Sequence, residues 1–407
     1  MEALQPGTTD MLRDAVAHAL SAENTLEIAG GGSKAGYGGP VEADYRLSTH
    51  ALSGIVSYEP EELVLTARAG TTLAEIAAAL SEANQRLAFE PPDWRALLGN
   101  EASEPTLGGI VAANMSGPAR PRAGAARDHL LGLEMVTGRA ELIRSGGKVV
   151  KNVTGYDLCK LLAGSFGTLG VMTELTVKTL PAPEKLRTVL IAGLSPEDAG
   201  AAMASALNTP HDISAASYLP ADIAACSAVG YVSKAAASVT ALRVEGVGPS
   251  VLARCTALRE RMATYGEIEE LHFHNSRTLW AEIGDAAFFA VGDAPVWRIS
   301  VPPASGAAVT AAIGRKMAVE YYLDWGGGLI WLRPAPAPED GGAGIIRAAI
   351  AECGGHATLV RGNTGLRRRV AVFQPPEPAV AALSGRVRAG FDPNGIFNPG
   401  RMFGAGG

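Results

Sequence analysis

The chain has 407 residues, a length that points to two domains and away from a single compact core. Lys and Arg number 35 against 41 Asp and Glu, and the net charge of −6 argues against nucleic acid as the main partner, since such binding rests on neutralising phosphates. The four cysteines, Cys159, Cys226, Cys255 and Cys353, are far apart and form no CxxC, so neither a disulfide framework nor an iron–sulfur cluster held by this chain alone is expected.

The N-terminus, MEALQPGTTDMLRDA, lacks the basic and apolar regions of a signal peptide, and no apolar run is long enough to cross a bilayer; a cytoplasmic location is expected. Residues 10–22 carry Met11, Leu12, Val16, Ala19 and Leu20 at helical spacing. The strand 25-TLEIAG-30 leads into 30-GGGSKAGYGG-39. Successive glycines can turn several backbone N–H groups toward one anion, Ser33 adds a hydroxyl and Lys34 a positive charge. The order differs from a Walker loop, and no helix follows as a dinucleotide fingerprint requires. The stretch therefore reads as a phosphate-type loop between strands or as a plain surface loop.

GIVSYEP and ELVLTARAG read as strands. Thr72 and Glu75 have capping-box spacing before a helix whose face carries Leu73, Ile76, Ala77 and Leu80. Next comes 104-EPTLGGIVAANMSGPARPRAGAARDHLLGLEMVTG-138, crowded with Gly, Ala and small polar residues. Gly108 and Gly109 let the backbone approach a neighbour closely, and Asn114, Ser116 and Gly117 place an amide, a hydroxyl and bare backbone on one turn. Leu130–Val136 reads as a buried strand, Tyr156–Ala163 as a helix and 164-GSFGTLGVMTELTVKTLPAP-183 as a glycine turn and strand.

Beyond Pro183 the pattern becomes strand, helix, strand. Strands fall at RTVLIAGL, ISAASYL, VTALRVEGV, Trp297–Val301 and Leu329–Leu332, with helices at Pro196–Leu207, Pro249–Thr264 and Ala307–Met317. This predicts an α+β domain, one antiparallel sheet with helices on one face. His272 and His274 would share a face if LHFHN were a strand, and a structural role is expected for them. The Arg361, Arg367, Arg368 and Arg369 cluster reads as a solvated face, a carboxylate site or a docking patch. A helix and a strand follow at 341–360, then a last helix and the tail 391-FDPNGIFNPGRMFGAGG, where Asn398 before Pro399 is expected to be extended.

Three segments, GGGSK, TLGGIVAANMSGPARPRAGAARDHLLGLEMV and GSFGTLGVMTELTVK, occur in the order of a known family. They resemble the FAD-binding domain of the vanillyl-alcohol oxidase and p-cresol methylhydroxylase superfamily. The tail FDPNGIFNPGR looks like the C-terminal segment of its lactate and glycolate dehydrogenase branch. KNVTGYDLCKLLAGSFGTLG and DWGGGLIWL are similar to the family of FAD-binding E subunits of bacterial glycolate oxidase.

The resemblance implies a two-part FAD-binding domain of the p-cresol methylhydroxylase type over 1–183, an antiparallel-sheet cap over 184–375, and a segment 376–407 returning to the FAD domain. It implies that Gly30, Gly31, Gly32, Ser33 and Lys34 wrap the FAD pyrophosphate, with Thr106, Leu107, Gly108 and Gly109 as the second FAD segment. It places Asn114, Ser116 and Gly117 near the ribityl chain, Pro91 and Pro92 at the entry to the flavin site, and Gly170 and Val171 at the adenine or flavin edge. Asn398 is placed near the ring. No His or Cys lies in 30–39 or 104–120, so non-covalent FAD is expected. Related dehydrogenases carry G-H-x-G-D-G-N-x-H for a divalent metal; here 323-LDWGGGLIWLRP-334 keeps the glycines and lacks both histidines. The implied activity is glycolate oxidation to glyoxylate in a complex with a catalytic FAD subunit and an iron–sulfur subunit, possible membrane association coming through these partners on the cytoplasmic face of the inner membrane. This chain would relay electrons or complete the assembly; the alternatives are a self-sufficient 2-hydroxy-acid dehydrogenase and a scaffold without activity.

Overall fold

A computed structural model describes residues 2–147 and 155–402. Lys151–Thr154 of the KNVTGYDL stretch and the tail beyond Met402 lie outside the described residues. The chain divides into two compact units: 1–116 with 124–181 and 371–407, and 117–123 with 182–370.

The first unit holds two main sheets. A helix, Thr9–Ser21, starts where the Thr8 side chain accepts from Met11 N. It buries Leu12, Val16 and Ala19, residues one helical turn apart. Beside it lies a parallel three-stranded sheet in the order Glu2–Leu4, Tyr45–Ser48, Leu26–Ala29. The tail joins this layer: Phe397 bridges Leu26 in parallel, and Phe397, Ile396, Leu26 and Leu47 share one core with the helix. The second sheet is antiparallel, in the order Ile55–Glu59, Val64–Arg68, Val171–Lys178, Leu130–Val136, Leu142–Gly146. The apolar face of the helix Leu73–Glu82 (Ile76, Leu80) and that of Leu107–Ala112 (Leu107, Val111) fill its core.

The second unit is built on one eight-stranded antiparallel sheet. Its strand order is Glu267–Leu271, Lys185–Ala192, Val239–Gly246, Ile213–Leu219, Val319–Asp324, Leu329–Pro334, Val296–Ser300, His356–Arg361. The strands Glu267–Leu271 and Val319–Asp324 have no counterpart in the sequence reading; the acidic run EIEEL and the short VEYYLD offer weak apolar alternation.

Two local expectations are corrected. His272 and His274 do not share a strand: His272 is the N-cap of the helix Phe273–Gly284 and His274 lies in its first turn. The apolar spacing of Leu279, Trp280 and Ile283 decides this, since a helix buries all three. Asn398 is not extended; its φ is +44°, in the left-handed region. Asparagine tolerates that region, and two hydrogen bonds described below hold it there.

Candidate functional site

The site is a cleft in the first unit with about 780 Å³ of space between its walls, open solvent included. Its walls come from distant parts of the chain, and each is fixed by local chemistry. The loop Gly30–Lys34 leaves the end of the strand Leu26–Ala29. Ser48 Oγ donates to Gly30 O at 3.2 Å. A Cβ on Gly30 would stand 2.2 Å from Thr106 Oγ1, and one on Gly31 would stand 2.0 Å from the Glu104 carbonyl oxygen. The bare backbone therefore lets this loop lie directly on segment 104–106.

That second segment is stitched down on its other side. Leu107 N donates to Thr71 O at 3.0 Å and Gly108 N to Ala69 O at 2.8 Å. Thr106 Oγ1 accepts from Gly109 N and caps the helix Leu107–Ala112. A third wall is the turn at Phe166–Gly167, with φ of +53° and +69°. Gly164 N donates to Val111 O and Phe166 N to Ala112 O, docking the turn on the end of that helix. The tail supplies the fourth wall. Asn398 is buried, its Oδ1 accepts from Ile28 N at 2.8 Å, and its Nδ2 donates to Phe166 O at 2.7 Å. Arg401 donates to the Ala35 and Tyr37 carbonyls and to Glu27 Oε1.

Charge in the cleft is predominantly positive. Lys34 Nζ donates to Ser33 Oγ at 2.9 Å. Burial pushes its pKa down to about 8, against a smaller opposing effect of the Asp93 carboxylate. Arg46 also lines the cleft, 3.6 Å from Glu27 Oε2. An aromatic group closes one side: the Tyr37 ring centroid is 5.1 Å from that of Phe166 and 5.4 Å from that of Trp94.

Of the residues singled out from the sequence, Gly30, Gly31, Gly32, Ser33, Lys34, Thr106, Gly108, Gly109, Gly170, Val171 and Asn398 line this cleft together. Others lie elsewhere. Leu107 is core. Asn114 Oδ1 accepts from Arg127 N and Ser116 Oγ from Ala126 N, so both hold the following turn. Pro91 and Pro92 precede Asp93, whose carboxylate pairs with Arg95 at 2.7 Å. Gly117 belongs to the second unit, where its carbonyl accepts from Trp325 Nε1 at 3.1 Å. Glu27, Arg46, Tyr37, Phe166 and Arg401 were missed. Tyr37, Phe166 and Arg401 stood inside the segments GGGSKAGYGG, GSFGTLG and NPGR; Glu27 and Arg46 carry no spacing signal.

In the second unit, the segment DWGGGLIWL, which the resemblance sets against the histidine motif, forms the turn Trp325–Gly327 at its start. All three residues have positive φ: 54°, 65° and 98°. Buried Asp324 accepts from Trp325 N at 2.7 Å, and the guanidinium carbons of Arg120 and Arg298 each lie 4.7 Å from the indole centroid. Among the described residues no group of three or more His, Cys, Asp or Glu is placed to hold a metal ion.

Residues 3–146 match a family described as FAD binding domain. Glycolate oxidase subunit GlcE of Escherichia coli K12 is 35% identical over 394 residues, covering 96% of each chain. The chain belongs to the GlcE family. Glycolate oxidase subunit GlcD of Bacillus subtilis is 34% identical over 184 residues, covering 45% of this chain and 36% of the relative. In fold, this chain is similar to p-cresol methylhydroxylase with substrate bound, which superposes with a TM-score of 0.71 at 15% identity, over 98% of this chain and 88% of that one. The α+β architecture is thus of the p-cresol methylhydroxylase type, and the chain is an FAD-dependent oxidoreductase.

The cleft fits that cofactor on its own chemistry. Two bare-backbone segments face each other, and Ser33, Lys34 and Arg46 supply hydroxyl, ammonium and guanidinium donors suited to phosphate.

Proposed function

We propose that this chain is the E-type subunit of a glycolate-oxidising complex and holds FAD non-covalently in the cleft of its first unit. The observation that carries this reading is the end-to-end match to GlcE, 96% of each chain, together with a cleft lined by both glycine segments. The FAD-binding part comprises residues 1–183 and the tail from 376, with the intervening sheet as cap. Bound FAD supplies two-electron transfer through its ring system. The chain's own residues bind and position it: the glycine segments approach it closely, Ser33 and Lys34 hold its charged middle, and Asn398 fixes the Phe166 wall.

Catalysis on glycolate belongs, in this reading, to a second flavoprotein subunit, with an iron–sulfur subunit as the further partner. Support comes from the turn at Trp325, whose indole is engaged by Gly117, Arg120 and Arg298 and which offers Asp324 alone as a candidate metal ligand. The role left to this chain is to relay electrons or complete the assembly. Among the described residues no helix is long and apolar enough to cross a membrane; association with the inner membrane would come through partners.

The test is anaerobic reduction by glycolate. The isolated full-length chain should release FAD on denaturation and stay oxidised when glycolate is added. Its flavin should bleach once the catalytic flavoprotein partner is present. Bleaching of the isolated chain would establish a self-sufficient dehydrogenase instead, and a chain colourless even with its partners would make it a scaffold.

A further inference from the structure

The strand Tyr45–Ser48 alternates about its backbone. Leu47 is fully buried in the core beneath the sheet. Arg46 and Ser48 therefore point to the opposite face, where the glycine loop runs. Ser48 is engaged there, on Gly30 O. Arg46 Nη2 lies 3.6 Å from the position a Cβ would take on Gly32, whose φ is +84°. On the other glycine segment, Lys34 Nζ lies 3.4 Å from the position a Cβ would take on Gly109. Each bare-backbone stretch thus has one cation laid against it.

We propose that Arg46 and Lys34 form a two-sided clamp for the diphosphate of the dinucleotide, with Arg46 as a phosphate-binding residue outside the glycine loops. The proposal rests on the reading that FAD occupies this cleft. Charge accounting favours it. The cleft carries Lys34, Arg46 and Arg401 as cations and Glu27 as a carboxylate. Glu27 is shared: Oε1 accepts from Arg401 at 3.0 Å, while Oε2 is 3.6 Å from Arg46, beyond hydrogen-bond length. Arg401 is further committed to two backbone carbonyls. Arg46 and Lys34 are left in excess, and a diphosphate carries the two negative charges that match them. Burial depresses the Lys34 pKa, so an anion placed beside it would favour its ammonium form. A planar guanidinium also suits two oxygens at once, which a lysine on the strand would not.

The experiment is calorimetric titration of the flavin-free full-length chain with FAD, ADP and riboflavin, at low and high salt. Arg46→Gln should weaken FAD and ADP alike by roughly 10- to 100-fold, the loss of a charged hydrogen-bonding partner. It should flatten the salt dependence of FAD affinity and leave riboflavin unchanged, because riboflavin has no phosphate. Arg46→Lys should recover part of the loss, and matched melting temperatures of the flavin-free variants show that folding is intact. Equal weakening of riboflavin and FAD, or unchanged ADP affinity, would overturn the clamp while leaving the cofactor site standing. A wild-type chain that binds neither FAD nor ADP would overturn the cofactor site itself, and the clamp with it.

Discussion

At the scale of single residues, the site depends on buried side chains that tie separate segments together. Asn398 is the clearest. Its amide uses both ends, one on the first strand and one on the Phe166 turn. Asn398→Ala leaves the Ile28 N–H without this partner, and urea unfolding should show a loss of about 1–3 kcal/mol. Lys34 gives a pH prediction. In the flavin-free protein its pKa is about 8, while the unfolded chain restores about 10.5. Between these values the unfolded chain binds more protons, so this group destabilises the flavin-free protein below pH 8 and its penalty fades as pH rises. A bound diphosphate works in the opposite direction and favours the ammonium. FAD affinity should therefore fall as pH climbs above about 8, and Lys34→Met should flatten that fall in a titration series. Asp93 is the carboxylate whose charge reaches Lys34; Glu27, Arg46 and Arg401 are the other charged groups of the cleft. Lys34 was legible because it sits in a glycine run, whereas Arg46 sits in the unremarkable YRLS and becomes visible only when strand alternation aims it at Gly32.

At the scale of elements, the glycine segments were legible for a reason that turns out to be incomplete. Sequence reasoning takes Gly30, Gly31 and Gly108 as room for a ligand. In the fold they make room for other parts of the chain: Thr106, Glu104 and Ala69 respectively. The loops can wall a cleft because they first lie against each other. Gly31→Ala should accordingly displace the loop, since its Cβ would meet backbone at 2.0 Å, and lower flavin content at purification at least tenfold. Gly36→Ala meets its nearest neighbour at 3.8 Å and should leave flavin content within about twofold. Long apolar elements such as Pro196–Leu207 and Ile213–Leu219 were readable to the residue. The left-handed turns at Phe166, Trp325 and Asn398 were not, because tertiary hydrogen bonds and packing select them over local preference.

At the scale of the whole molecule, the first unit is discontinuous: its last part begins at residue 371, after the whole of the second sheet. Phe397 is fully buried and belongs to the same core as Leu12, Leu26 and Leu47. Phe397→Ala should cost about 3–5 kcal/mol, read from the shift of the unfolding transition. A chain stopped after Gly395 should purify without flavin even if its sheets form, because two of the residues that wall the cleft, Asn398 and Arg401, are gone. This arrangement has a bearing on synthesis. A ribosome makes every strand of the described sheets before it reaches Asn398 and Arg401, so in the proposed reading the cleft that takes the flavin closes only at the end of synthesis. On that reading loading follows translation, and prematurely terminated products should purify colourless.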